Sequence, residues 1–260
     1  MSGLKVVITG ATSGIGRALA VEYARRGAML ALIARRQEML DQLAASLPAR
    51  SFCYAADVRD PLALAQGASD FIARAGCPDI VIANAGVSAG TLTGAAEDNE
   101  VFEEILATNV TGMMLTFQPY IEAMRARGSG ALVGIASVAG FRGLPGAAAY
   151  SASKAAAISY LESLRLELRG KVDVVTICPG YIATPMTSGN PYPMPFLMAP
   201  AAAARNIADA IARRKRFHVL PWQMGLVGAL LRNLPRPLYD LLFARAPRKP
   251  RRSGGNLNEG

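Results

Sequence analysis

The stretch Leu4-Lys5-Val6-Val7-Ile8-Thr9-Gly10-Ala11-Thr12-Ser13-Gly14-Ile15-Gly16 decides the reading of the fold. A short apolar run ends in three glycines spaced GxxxGxG, and a helical pattern starts at once. Nearly continuous apolar character is what a strand buried on both faces requires. Glycines after such a strand let the backbone turn tightly and approach a pyrophosphate, whose charge then sits at the N-terminus of the next helix. By itself the turn has a plain alternative, a tight strand–helix connection that holds nothing.

The rest of the chain repeats the strand–helix alternation. Apolar runs of strand length stand at 6–9, 29–33, 51–55, 80–83, 131–136, 172–178 and 217–220. Helical patterns fill 17–26, 38–47, 62–74, 101–127, 152–168 and 201–213 between them. Alternation of this kind predicts an α/β fold: a mostly parallel sheet of seven strands with helices on both faces. A length of 260 residues suits one such domain with an appendage. We expect a main domain over 1–221, a basic, Leu-rich helical extension over 222–252, and a disordered end over 253–260.

Composition removes several function classes. Hydrophobic residues make up 52% and charged residues 18%, which excludes a disordered chain. Cys53, Cys77 and Cys178 lie far apart without a CxxC pair, so neither a disulfide framework nor a cysteine zinc site is expected, and no metal at all. With His218 as the one histidine, a Ser/His/Asp triad cannot be built, and acid–base chemistry must fall to another residue type. The net charge of +9 is confined to one region. Residues 205–252 hold 12 Lys/Arg against 2 Asp/Glu, and the remainder is close to balanced. That argues against a nucleic-acid-binding body. The first strand begins too early to follow a signal peptide, and the longest uncharged stretch near the tail, 217–231, is too short to span a bilayer.

The ends of the strands hold the candidate ligand contacts. An Asp or Glu commonly follows the second strand where NAD is bound, to meet the ribose 2′-hydroxyl. Here Ala34 is followed by Arg35 and Arg36. Guanidinium groups pair with a 2′-phosphate, which favours NADP(H) over NAD(H), although two arginines can also simply open a solvated helix. Asp57, followed by Val58, ends the third strand, where a carboxylate can accept from an adenine amino group or cap the next turn. Asn84-Ala85-Gly86 ends the fourth, at the edge where such sheets bind ligands.

Tyr150 and Lys154, four apart, share a helix face. Ser137 ends the fifth strand, and Asn109 sits in the long helical stretch before it. Singly, each has a bland explanation: surface packing, a cap, an ordinary helix residue. Together, Thr9–Gly16, Asn84-Ala85-Gly86, Asn109, Ser137, Tyr150-Ser151-Ala152-Ser153-Lys154 and Pro179-Gly180 resemble the short-chain dehydrogenase/reductase family in order and spacing, from residue 4 to about 220. The combination is specific, and no position of the family's catalytic pattern is missing.

The resemblance implies a Rossmann-type, doubly wound sheet, a dinucleotide-binding catalytic domain over 1–221 with a substrate loop at about 185–200, and hydride transfer to or from a nicotinamide. It assigns cofactor contacts to Gly10, Thr12, Ser13, Gly14, Ile15 and Gly16, and to Pro179, Gly180, Ile182 and Thr184 near the carboxamide. Tyr150 becomes the acid–base group, and Lys154 tunes it and binds the nicotinamide ribose. Ser137 hydrogen-bonds the substrate oxygen, and Asn109 holds a water that reconnects Lys154 to solvent. Physical chemistry is compatible with these roles. A phenol titrates near pH 10, and an ammonium about 4 Å away, worth about 4 kcal/mol, can lower that by up to about 3 pH units.

The segment after Thr184 is apolar, Met-rich and free of charged residues as far as Met198. This suits a hydrophobic ketone or secondary alcohol better than a sugar phosphate or carboxylate, unless the segment is a packed lid that ignores the substrate. In the tail, Leu226, Val227, Leu230, Leu231, Leu234, Leu238, Leu241 and Leu242 recur near helical spacing. Such a stripe packs on its own domain or a partner subunit, or lies at an anionic membrane surface. The leading expectation is a cytoplasmic NADP(H)-dependent oxidoreductase, a homodimer or homotetramer. The alternatives are a peripheral-membrane reductase of long-chain keto-lipids and a non-catalytic NADP(H)-binding regulator.

Overall fold

The computed structural model describes residues 3–244 and 246–251. The expectation of a disordered end at 253–260 lies outside the described residues. Seven strands form one sheet: β1 Lys5–Thr9, β2 Met29–Ala34, β3 Ser51–Ala55, β4 Ile80–Ala83, β5 Ala131–Ile135, β6 Asp173–Pro179 and β7 Phe217–Leu220. Their order is β3-β2-β1-β4-β5-β6-β7, and every neighbouring pair is parallel. The sequence pattern suggested a mostly parallel sheet; among the described strands it is wholly parallel.

The helices are α1 Gly14–Arg25, α2 Gln37–Ser46, α3 Pro61–Ala75, α4 Asn99–Leu106, α5 Gly112–Arg127, α6 Ala148–Glu167, α7 Pro185–Ser188, α8 Pro200–Ala212, α9 Trp222–Asn233 and α10 Arg236–Phe243. The stretch read as one helix over 101–127 is two helices joined by a π-helical turn, Ala107–Thr111.

Side-chain alternation divides the core. Val6, Ile8, Leu30 and Leu32 face one layer with α1, α2 and α8, while Val7, Ala31 and Ile33 face the other with α3, α5 and α6. Burial on both faces explains why the strands lack a polar alternate position. From β1 the chain winds outward to β3, then returns to place β4 on the other side of β1. The carboxyl ends of β1 and β4 therefore flank the crevice where the winding reverses. No helix among the described residues is long and apolar enough to cross a membrane.

Candidate active site

Thr9 and Asn84 join the two sides of the crevice. The Thr9 hydroxyl accepts from the backbone of Asn84 (3.1 Å) and Ala85 (3.2 Å). The Asn84 amide donates to the carbonyls of Thr9 (3.0 Å) and Gly10 (3.3 Å). Asn84 thus holds the glycine loop from behind. Gly10 and Gly14 adopt φ of +64° and +50°, and the loop enters α1 at Ser13, whose side chain makes no cap. The first turn of α1 carries no acidic residue. Its outward amides and partial positive charge are available to an anion, and Thr12, Ser13, Gly14 and Ile15 are all partly exposed there. Thr184 reaches across from the loop after β6, close enough that a Cβ on Gly14 would lie 3.2 Å from its methyl group. These residues fit a dinucleotide pyrophosphate.

The adenosine side is less uniform. Arg35 and Arg36 are exposed at the end of β2, with Arg36 as the N-cap residue of α2. Asp57 is paired with Arg59, its carboxylate receiving the guanidinium at 2.6 Å and the Arg59 backbone at 2.9 Å. The paired guanidinium holds the Asp57 carboxyl below its usual range despite partial burial. The neighbouring Arg59 gave no signal in the motif reading. Val58 is buried against the start of α5, where Gly112 leaves room for its side chain.

The candidate acid–base residues are brought together by α6 and the end of β5. Gly140, in the short turn Val138–Gly140 after β5, lies directly against the α6 backbone. A Cβ there would stand 2.7 Å from the Lys154 carbonyl carbon and 2.8 Å from its oxygen. This contact brings Ser137, Tyr150 and Lys154 together. Ser137 is buried; its hydroxyl accepts from Ala139 N (3.1 Å) and contacts the Pro179 carbonyl (3.4 Å). Tyr150 is partly exposed, with its ring centre 5.8 Å from the Lys154 ammonium. Lys154 is almost fully buried and donates to the Ile135 carbonyl at 2.9 Å.

The electrostatics depart from the expectation of an acidified phenol. Burial pushes the Tyr150 phenol above its ordinary value, against a downward pull from the Ser137 hydrogen bond. Lys154 does not lower it here, because its nitrogen is turned toward β5 and burial brings its own pKa down to about 8. The resting phenol is therefore protonated at neutral pH, as a proton donor must be.

Asn109 is fully buried in the π-helical turn. Its carbonyl oxygen accepts from Val87 N (2.8 Å), and its amide donates to Val87 O (3.0 Å) and Ser153 Oγ (3.0 Å). It clamps the segment after β4 to α6. Gly86 lies in the same corner, where a Cβ would come 3.1 Å from Asn109 Oδ1 and 3.6 Å from Lys154 Nζ. After β6, Gly180 N bonds Leu220 O (2.7 Å), and Ile182 is buried and bridged to Met198. The segment after Thr184 returns over this edge, with Tyr192 tilted against Tyr181 at 6.4 Å between ring centres.

The structure also brings in residues that motif reading missed. After α10 the chain turns back across the site: Gly90 N bonds Pro250 O (2.8 Å), Lys249 Nζ reaches Ser88 Oγ (2.6 Å), and the same ammonium lies 5.2 Å from the Tyr150 ring centre. Arg251 is held by Asp98 (2.9 Å) and Glu97 (2.8 Å). Ninety-nine positions separate Lys249 from Tyr150, and no local pattern marks the pairing. Among the described residues no group of three or more His, Cys, Asp or Glu is placed to hold a metal ion.

Comparison with known proteins agrees with this architecture. The family model described as short chain dehydrogenase matches residues 4–192. An uncharacterized oxidoreductase of Myxococcus xanthus is 39% identical over 94% of this chain and 98% of its own length. Among solved structures, a short-chain dehydrogenase from Streptomyces avermitilis superposes with a TM-score of 0.77 at 29% identity, covering 88% of this chain and 93% of that one. L-Sorbose reductase from Gluconobacter frateurii, solved with NADPH and L-sorbose, gives 0.75 at 25% identity, covering 85% and 95%. With the glycine loop at the winding reversal and Ser137 after β5 brought against Tyr150 and Lys154 of α6, the chain belongs to the short-chain dehydrogenase/reductase family of oxidoreductases.

Proposed function

We propose that the protein is an NADP(H)-dependent reductase of apolar ketones, with Tyr150 as proton donor. The observation that carries this reading is the Ser137–Tyr150–Lys154 corner, in which a protonated, partly exposed phenol stands beside a buried hydroxyl and a buried amine. A bound nicotinamide supplies the hydride. Tyr150 donates its phenolic proton to the carbonyl oxygen, and Ser137 orients that oxygen and stabilises the charge that develops on it. Lys154, its pKa brought down to about 8 by burial, holds the ribose of the cofactor.

Arg35 and Arg36 support the preference for a 2′-phosphate, since both are exposed where β2 ends and the usual carboxylate is replaced by Ala34. The sorbose reductase neighbour was solved with NADPH. Support for an apolar substrate comes from the loop 185–198, which exposes Met186, Phe196 and Leu197 and carries no charge.

The test is Tyr150→Phe. Turnover with NADPH and a medium-chain ketone should fall by about 10² or more while NADPH affinity by fluorescence titration stays nearly constant. Turnover within threefold of the parent would remove Tyr150 from the chemistry.

A further inference from the structure

The chain end from Ala246 to Arg251 forms a strap across the mouth of the site, and the strap places one cation inside it. Its path is fixed at several points. Gly90 N–H donates to Pro250 O, and Gly90 pairs with Arg251 in a parallel bridge. The approach is so close that a Cβ on Gly90 would lie 2.2 Å from Lys249 O. Arg251 is fastened to Glu97 and Asp98, and Asp98 is itself fixed by the Leu92 amide at 2.7 Å.

Two of the strap's three basic residues, Lys249 and Arg251, have different surroundings. Arg251 points at carboxylates. Lys249 points inward, over the face of Tyr150, and meets the Ser88 hydroxyl. Among the described residues no carboxylate lies within 4.0 Å of its nitrogen, and the acidic pair that the strap crosses is taken by Arg251. A half-buried ammonium with a hydroxyl and an aromatic face as its partners is under-compensated. Burial brings its pKa down to about 8, so it is charged at neutral pH.

We propose that Lys249 binds a carboxylate of the substrate, so that the preferred ketones are oxo acids with an apolar chain. The proposal rests on the reading of Tyr150 as proton donor to a carbonyl, and it narrows the substrate class. The apolar loop 185–198 has no charge with which to recognise an acid; the strap supplies one 5.2 Å from the Tyr150 ring centre. One ammonium matches the single charge of a carboxylate better than the double charge of a phosphate ester. Ser88 adds a hydroxyl donor beside it, and the site near Tyr150 becomes two-sided, with an apolar wall for the chain and a cationic point for the acid group.

The test compares medium-chain 3-, 4- and 5-oxo acids with their methyl esters, which share the ketone and the chain. The parent enzyme with NADPH should favour at least one acid over its ester by tenfold or more in kcat/KM. Lys249→Met should collapse that ratio to near one, chiefly through KM for the acid, and Lys249→Arg should restore most of it. A strap-fastening role lowers acid and ester together and leaves the ratio intact, which would overturn the proposal, as would a parent enzyme without acid preference. A second measurement does not depend on turnover: calorimetric titration of the NADPH-loaded parent with octanoate and with methyl octanoate. Binding of octanoate that weakens at least tenfold in Lys249→Met supports the proposal even if the ketone reading fails; equal binding of acid and ester by the parent refutes it while leaving that reading untouched.

Discussion

Gly140→Ala tests the idea that a backbone contact sets the catalytic spacing. The added Cβ would lie 2.7 Å from the Lys154 carbonyl carbon, 2.8 Å from its oxygen and 2.9 Å from Ala155 N, whereas ordinary contact begins at 3.4 Å. About 0.7 Å must therefore be found, and every one of the obstructing atoms is backbone, so no side-chain rotation can supply it. If α6 retreats, Tyr150 and Lys154 move with it. If the turn retreats, Ser137 moves, because Gly140 N bonds Ser137 O (3.0 Å) and Ala139 N bonds its hydroxyl (3.1 Å). Either route changes the Ser137–Tyr150 separation. A misplacement approaching 1 Å costs on the order of 10²-fold in rate, while the overpacking itself costs about 1–3 kcal/mol of stability. We expect kcat to fall about 30- to 100-fold, with NADPH affinity within about threefold because the glycine loop is untouched. The assay is steady-state NADPH oxidation beside a fluorescence titration and a urea melt. A folded variant whose kcat stays within threefold of the parent would refute the argument that this contact positions the site.

Four further outcomes follow from the geometry. Arg35→Ala should weaken NADPH by at least about tenfold, roughly 1.4 kcal/mol, and NADH far less; equal losses in fluorescence titrations would remove the 2′-phosphate role. Asn109→Leu leaves the Val87 N–H and C=O without their side-chain partners, and should cost about 3 kcal/mol in urea unfolding; a loss below 1 kcal/mol would show that the clamp is dispensable. Lys154 has a folded pKa of about 8 against 10.5 for the free side chain, so the unfolded state binds more protons between those values and stability contributed by this residue rises with pH there. Going from pH 8 to 9.5, the parent should gain about 2 kcal/mol over Lys154→Met in parallel urea melts, and coincident slopes would contradict the burial argument. Deleting residues 222–260 uncovers Gly180, Phe141 and Gly143, against which Met224, Gly228 and Tyr239 pack, and should lower the melting temperature; an unchanged melt would show that the tail contributes nothing to the body.

Strand positions were legible because the sheet is buried on both faces. A run such as Val6-Val7-Ile8 has no polar alternate, so strand length and flanking glycines located it within a residue or two. The Tyr150/Lys154 spacing and the end-of-strand position of Ser137 were equally local facts. What was not legible depends on contacts distant in sequence. The phenol was expected to be acidified by its lysine; the structure turns the ammonium to Ile135 O and leaves burial to dominate. The π-helical turn that points Asn109 at Val87 has no sequence period of its own, and 101–127 reads as one helix without it.

The tail separates what periodicity can tell from what it cannot. Leucines at helical spacing correctly announced helices after Leu220, and the stripe was expected on the chain's own domain, on a partner subunit or at a membrane surface. Its own domain does not take most of it: Leu226, Leu230, Leu241 and Leu242 are each at least 60% exposed. Contact with the body is made by Met224 against Gly180, by Gly228 against the Phe141 ring, and by Tyr239, whose hydroxyl bonds Gly143 O beneath the Arg142 guanidinium. A glycine and a methionine allow α9 to approach more closely than a row of leucines would, and a tyrosine finds the polar partner its hydroxyl requires. Hydrophobicity ranks residues by their cost in water, whereas the face chosen here is the one whose shape and hydrogen bonds match the surface beneath it. The same selection carries the basic strap over Gly90, where the absence of a side chain admits it, and so delivers Lys249 to Tyr150 from the far end of the basic extension.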